Sequence, residues 1–148
     1  FLYAVEAIFR PALLEGVSLT ITPVYLSLVG LCAQEELVGA IGNLVRNASE
    51  LAQESVHIDV WAGATSPTSM QIRVRDSGPG ISEEVLPRLF DPFFTTRAKG
   101  TGLGLAVVAM TAAQHEGQIR AQNSLHGGAE FLLDLPLIES RSAQVEVD

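Results

Sequence analysis

An α+β sandwich, with one mixed, mostly antiparallel sheet of about five strands covered on one face by three helices, is the fold that three observations in this sequence predict. The first is the segment 34–53, where Leu37, Val38, Ile41, Leu44, Val45, Ala48, Leu51 and Ala52 recur at helical spacing and leave a polar stripe beside them. The second is a pair of alternating segments directly after it, 56–62 and 70–76. The third is a further helical pattern over 103–115, followed by two more alternating segments at 118–122 and 129–135.

In chain order, Leu2, Val5, Phe9, Ala12 and Leu13 stand at helical spacing, so residues 1–15 are expected to form an amphipathic helix ending near Gly16. Residues 17–22 alternate like a strand, Pro23 interrupts them, and 26–32 is a second apolar run read as a strand. After the helix over 34–53, the two alternating segments are separated by a turn at 63–69. Gly78-Pro79-Gly80 turns the chain into a short helix starting near Ser82, an N-cap candidate followed by Glu83 and Glu84, which Pro87 ends. Gly117 stops the helix over 103–115, and Gly127-Gly128 turns the chain into the last strand. We read one domain over 1–138, its motifs within 34–136, and a polar, frayed tail over 139–148.

A chain of 148 residues is the size of one ordinary domain with a proper core, and no apolar run reaches the roughly 18 residues of a membrane span. We therefore expect a soluble chain without membrane contact. Phe1 in place of Met, with no leader pattern behind it, leads us to expect a piece of a longer protein. The net charge of −8 argues against nucleic acid, which calls for a basic face. An anionic ligand would have to be held locally, and the single lysine, Lys99, lies two residues from Arg97 within a glycine-rich segment. Cys32 is the only cysteine, which excludes an internal disulfide and points to a reduced, cytoplasmic setting.

Three constellations carry chemistry. Residues 91–105 join an apolar turn, two cations and three alternating glycines, Gly100, Gly102 and Gly104, to the start of a helix. Such a segment reads as a hinged phosphate-binding lid, because glycines let backbone approach an anion and a helix N-terminus attracts it. On the helix over 34–53, Glu36, Asn43, Asn47 and Glu50 share one stripe flanked by Arg46. Their oxygens suit a hard cation and phosphates; on the residues alone, a solvated face accounts for Asn43 and Asn47 as simply. Asp76-Ser77-Gly78-Pro79-Gly80 sets a carboxylate at a strand end before exposed backbone, fit to receive an exocyclic amine beside a flat ring, or else to make a plain turn.

Together these segments resemble the GHKL superfamily, specifically the catalytic and ATP-binding domain of sensor histidine kinases. Asn43-Leu44-Val45-Arg46-Asn47-Ala48 is similar to the N box, Asp76-Ser77-Gly78-Pro79-Gly80 to the G1 box, Asp91-Pro92-Phe93-Phe94 to the F box, and Gly100-Thr101-Gly102-Leu103-Gly104-Leu105 to the G2 box. The N-box arginine and the Phe-Phe-Thr-Thr-Arg lid look most like the nitrogen-regulation type. The resemblance implies the Bergerat fold, with ATP and Mg²⁺ as cofactors. It implies that Asp76 accepts the adenine amine, that Asn47 holds the metal, and that Asn43 and Arg46 lie by the phosphates. Glu50, Gly78, Gly80 and Ile81 join the nucleotide site; Thr95, Thr96, Arg97 and Lys99 are lid contacts, Lys99 the preferred γ-phosphate partner. Gly100, Thr101, Gly102, Leu103, Gly104 and Leu105 close over the triphosphate. Phe90, Phe93 and Phe94 are expected to pack the lid or meet partner helices rather than ATP.

Hydrolysing members of the superfamily carry a glutamate one turn before the metal-binding asparagine. Asn43 stands at that position, which fits transfer to a protein nucleophile better than hydrolysis. The acceptor segment of such kinases, of the His-Glu-x-x-x-Pro type, is absent, and His57, His115 and His126 read as surface or capping residues. The implied partners are a dimerisation and histidine-phosphotransfer domain of the same kinase, a homodimer as a whole, and indirectly a response regulator. The chain alone is not expected to autophosphorylate. Two competing readings are a GHKL serine kinase of anti-sigma-factor type and a non-catalytic nucleotide-sensing or docking module.

Overall fold

The computed structural model describes residues 17–23, 34–50, 56–96 and 100–136. Strand β1 is Val17–Pro23, helix α1 Gln34–Glu50, β2 Val56–Ser66, β3 Ser69–Asp76, α2 Gly104–Gln114, β4 Gln118–Asn123 and β5 Ala129–Pro136. The five strands form one sheet in the order β1-β2-β3-β5-β4. β1 runs parallel to β2, with Val17 opposite Val56, and the connection between them passes through α1. Every other pairing is antiparallel, so the sheet is mixed and mostly antiparallel as the sequence predicts.

Alternation along the strands decides which face is buried. Met70, Ile72, Val74 and Asp76 of β3 are buried while their neighbours are half-exposed. Leu19, Ile58, Phe131, Leu133 and Leu135 join that inner face. Against it lie Leu37, Ile41, Leu44, Val45 and Ala48 of α1 and Val108 and Ala112 of α2, forming one core. The opposite face carries a polar lattice. Arg73 stacks 5.0 Å from the Trp61 ring centre and stands 3.6 Å from Glu130, and Asp134 takes both Arg120 at 2.9 Å and Gln71 at 2.8 Å. Partly exposed pairs of this kind contribute about 0–1 kcal/mol each, so the helix-covered face holds the fold together.

Among the described residues two α-helices cover the sheet; the helix expected over 1–15 and the strand over 26–32 lie outside them, as does the tail over 139–148. Three local expectations are corrected. The turn between β2 and β3 is only Pro67-Thr68, because strand pairing continues past Gly63 and a bulge between Ala64 and Ser66 absorbs the irregularity. No α-helix starts at Ser82. Its backbone carbonyl accepts from Val85 and Leu86, and a single 3₁₀ turn, Leu86–Arg88, follows. Pro87 stands inside that turn instead of ending a helix, a place where its missing N–H costs nothing.

Candidate functional site

Helix α1 buries its apolar stripe in the core, which turns Asn43, Arg46, Asn47 and Glu50 toward a cavity of about 420 Å³. The facing wall is made of segments far apart in sequence. Gly80, Ile81 and Ser82 come from the turn after β3; Thr95 and Thr96 from the threonine pair; Gly100, Thr101, Gly102, Gly104 and Leu105 from the entry to α2. Val85, Leu89 and Phe94 add apolar wall, and Ala129 and Phe131 of β5 close the floor. A concave, mixed cavity of this volume suits a small-molecule ligand.

Of the residues that the sequence assigned to the nucleotide site, thirteen line this cavity: the four on α1, Gly80, Ile81, Thr95, Thr96, Gly100, Thr101, Gly102, Gly104 and Leu105. Asp76, Gly78 and Leu103 do not. Asp76 is buried beside the floor residue Ala129, where its Oδ1 accepts the backbone N–H of Gly78 at 2.9 Å and of Ala129 at 3.2 Å. Among the described residues no group donates to its Oδ2. Close approach of the β4–β5 hairpin makes this possible: Gly128 has φ +83°, and a Cβ there would fall 1.8 Å from the Asp76 carbonyl oxygen. Leu103 is exposed at the entry to α2, its N–H bonded to Thr101 Oγ1 at 3.3 Å. Arg97 and Lys99 lie outside the described residues.

The stripe on α1 divides in two. Asn43 Nδ2 reaches the carbonyl of Gly104 at 3.4 Å, so the polar face of α1 meets the first residue of α2. One helical stretch earlier, Glu36 leaves the cavity and pairs with His115 at 3.0 Å, tying the start of α1 to the end of α2. His115 thus has a structural use, as its place at the helix C-cap suggested. The aromatic residues also divide. Phe90 packs edge-on to Phe131 at 6.3 Å and Phe93 is 76% exposed, but Phe94, expected to pack the lid or meet partner helices, lines the cavity with the Arg88 guanidinium 4.5 Å from its ring centre. Ser82, Val85, Leu89, Ala129 and Phe131 are also wall residues that the sequence reading did not assign to the site.

The chemistry available is that of oxygen donors and backbone. Asn43, Asn47 and Glu50 offer amide and carboxylate oxygens, Arg46 a fixed positive charge, and the glycines unobstructed N–H groups. Among the described residues no three His, Cys, Asp or Glu side chains gather into a metal site. A hard cation here would need ligand oxygens beyond those of the protein, as Mg²⁺ commonly does in phosphate sites.

A model of the family described as histidine kinase-, DNA gyrase B-, and HSP90-like ATPase matches residues 32–139. The chain is similar to the signal transduction histidine-protein kinase AfsQ2 of Streptomyces coelicolor, 42% identical over 101 residues, covering 65% of this chain and 18% of the relative. It is 41% identical over 103 residues to the sensor histidine kinase ZraS of Escherichia coli O157:H7, covering 70% and 22%. Sporulation kinase E of Bacillus subtilis is 32% identical over 117 residues, covering 79% and 15%. The chain thus spans 15% to 22% of the length of these relatives. Among solved structures, the nucleotide-free catalytic domain of histidine kinase ThkA superposes with a TM-score of 0.79 at 27% identity, covering 91% of this chain and 89% of that one. Full-length ShkA in complex with AMPPNP also superposes at 0.79, with 26% identity over 91% of this chain and 29% of that one. Among the described residues no helix is long and apolar enough to cross a membrane.

Proposed function

We propose, from the premise that this chain belongs to the histidine kinase-, DNA gyrase B- and HSP90-like ATPase family and is an ATP-binding catalytic domain of the histidine-kinase type, that it presents the γ-phosphate of ATP to a histidine on a separate helical domain of its parent kinase. The observation that carries this reading is the convergence of Asn43, Arg46 and Asn47 with Gly80, Ile81 and the Gly100–Gly104 segment on one cavity. Sixty and more residues separate the ends of that set, so the fold must bring it together.

Each side chain has a role that its surroundings support. Asp76, fixed through Oδ1 by two backbone donors, keeps Oδ2 for the adenine amine. Ile81 and Phe94 supply apolar wall for the ring. Arg46 stabilises the negative phosphates; the same role for Arg97 and Lys99, outside the described residues, rests on the sequence motif alone. Asn47, with Glu50, would hold Mg²⁺, and the oxygen chemistry of that set fits the ion. When bound, Mg²⁺ neutralises phosphate charge and orients the triphosphate. Asn43 has no basic lone pair to activate water, and its amide instead reaches Gly104. In transfer, an imidazole nitrogen of the acceptor forms the new P–N bond while the bond from the γ-phosphorus to the bridging oxygen breaks and ADP leaves. Positioning and charge neutralisation supply most of the rate.

The relatives AfsQ2 and ZraS and the structural neighbour ThkA are named as histidine kinases, which favours histidine over serine as the acceptor. The parent is read as a cytoplasmic-facing homodimer whose phosphorylated histidine serves a response regulator; ThkA, a structural neighbour, has been solved in complex with the response regulator TrrA. The test is a titration of AMPPNP with Mg²⁺ on the parent chain and on Asp76→Asn. That change keeps the acceptor for Gly78 and Ala129 but sets an amide donor against the adenine amine. A loss of at least about tenfold is expected, from one lost and one opposed hydrogen bond. Equal binding by both would overturn the site. Mixing the chain with the helical acceptor domain and ATP should then give an acid-labile phosphate on that domain; an acid-stable phosphate would exclude histidine.

A further inference from the structure

One side chain outside all the motifs holds the cavity wall. Asn123, the last residue of β4, accepts the N–H of Ile81 on its Oδ1 at 2.7 Å and donates from Nδ2 to the Ile81 carbonyl at 2.7 Å. A primary amide bonded to both main-chain groups of one residue reproduces a hydrogen-bonded antiparallel pair, here between residues 42 apart in sequence. The amide orientation is fixed by the same pairing, since exchanging oxygen and nitrogen would break both bonds.

The Ile81 side chain packs against the core, but its main chain has no other hydrogen-bonded hold among the described residues. Upstream, Ser77 bonds to His57 and Gly78 to Asp76; downstream, the Ser82 carbonyl takes Val85 and Leu86. Between them, no backbone group of residues 79–81 has another hydrogen-bond partner among the described residues. The fit is also close: a Cβ on Gly80 would stand 2.8 Å from Asn123 Oδ1. Gly80 and Ile81 line the cavity, and Asn123 does not.

We infer that Asn123 is a positioning residue for nucleotide binding, holding the Gly80–Ile81 backbone in the shape against which the ring of the nucleotide is laid. The inference rests on the reading of the cavity as the ATP site. Asn123 touches no ligand; it acts through Ile81. Its two bonds are solvent-exposed, so they add little to global stability, and their effect is local. A wall fixed before the ligand arrives binds without the cost of ordering that backbone.

The experiment compares the 148-residue chain with Asn123→Ala, Asn123→Asp and Asp76→Asn, measuring AMPPNP affinity with Mg²⁺ and amide hydrogen exchange at Ile81 and at core residue Ile72. Asn123→Ala should weaken AMPPNP by about tenfold and speed Ile81 exchange while Ile72 is unchanged. Asn123→Asp keeps one acceptor but sets a carboxylate against the Ile81 carbonyl, so it should weaken binding as well. The inference is overturned if either variant binds within about twofold of the parent, or if Ile72 exchange rises with Ile81 or the chain fails to fold, which would make the role global. Should Asp76→Asn bind normally too, the reading of the cavity fails; should Asp76→Asn alone be impaired, only the role of Asn123 does.

Discussion

Gly102 and Phe93 interlock through their backbones. The Phe93 N–H donates to the Gly102 carbonyl at 2.9 Å, and Gly102 adopts φ +71° with so little room that a Cβ would stand 2.4 Å from the Phe93 carbonyl carbon. The two ends of the lid segment are thereby pinned to one another across eight intervening residues, 94–101, that include Thr95, Thr96, Gly100 and Thr101.

Replacing Gly102 with alanine should therefore spread those ends. The positive φ alone costs about 1–2 kcal/mol, and the contact with backbone cannot be relieved by a rotamer. We expect AMPPNP affinity to fall by at least about tenfold, with thermal stability reduced by no more than a few degrees, since the lid contributes little core. Isothermal titration beside a melting curve checks both; unchanged affinity would show that the lid tolerates the spread.

Asn47→Ala should act through the cation. If its amide oxygen holds Mg²⁺, the parent's gain in triphosphate affinity on adding Mg²⁺ should shrink by about tenfold in the variant, while affinity measured in excess chelator stays within about twofold. An equal loss with and without Mg²⁺ would assign Asn47 to the phosphates directly.

Leu44 is fully buried on α1 between Asn43 and Val45. Leu44→Ala should lower unfolding free energy by about 2–5 kcal/mol through lost transfer energy and the cavity left behind. Urea denaturation with an unchanged slope checks this, and a loss below about 1 kcal/mol would mean the helix repacks.

Gly39 offers the opposite case. It lies in the interior of α1, exposed, with nothing within 4 Å of an added Cβ. Gly39→Ala should stabilise the chain by about 0.4–1 kcal/mol, because alanine restricts the unfolded chain and favours helix. A raised melting temperature with unaltered AMPPNP affinity is the expected result; a lowered one would show that the exposed face of α1 is not free to change.

Much of this was legible in the residues because burial on one side of an element leaves a period. The stripe of α1 and the alternation of β3 read directly, since each has one face in the core and one toward solvent. The segment after Ser82 misled because Ser-Glu-Glu is start chemistry for a helix, yet only a few residues follow before Pro87, too few to offset nucleation. Gly63 looked like a turn residue but is a buried strand position opposite Gln71. Asn43, Asn47, Gly80, Gly100, Gly102 and Gly104, all picked out by motif, line one cavity. The bond from Ala129 to Asp76 and the grip of Asn123 on Ile81 depend on contacts 53 and 42 residues apart, which leave no local pattern to find.

The strand order has a consequence for the newborn chain. Among the described residues β5 is the last strand to be synthesised, yet it is inserted between β3 and β4, and it brings Ala129 and Phe131, the cavity floor. Until it emerges, β3 and β4 each offer an unpaired edge, the state in which strands associate with the wrong neighbour. A nascent chain ending short of Ala129 has no floor to its cavity and no second donor on Asp76. Nucleotide cannot template the early steps of folding, and the ability to bind it is acquired in the same event that seals the sheet.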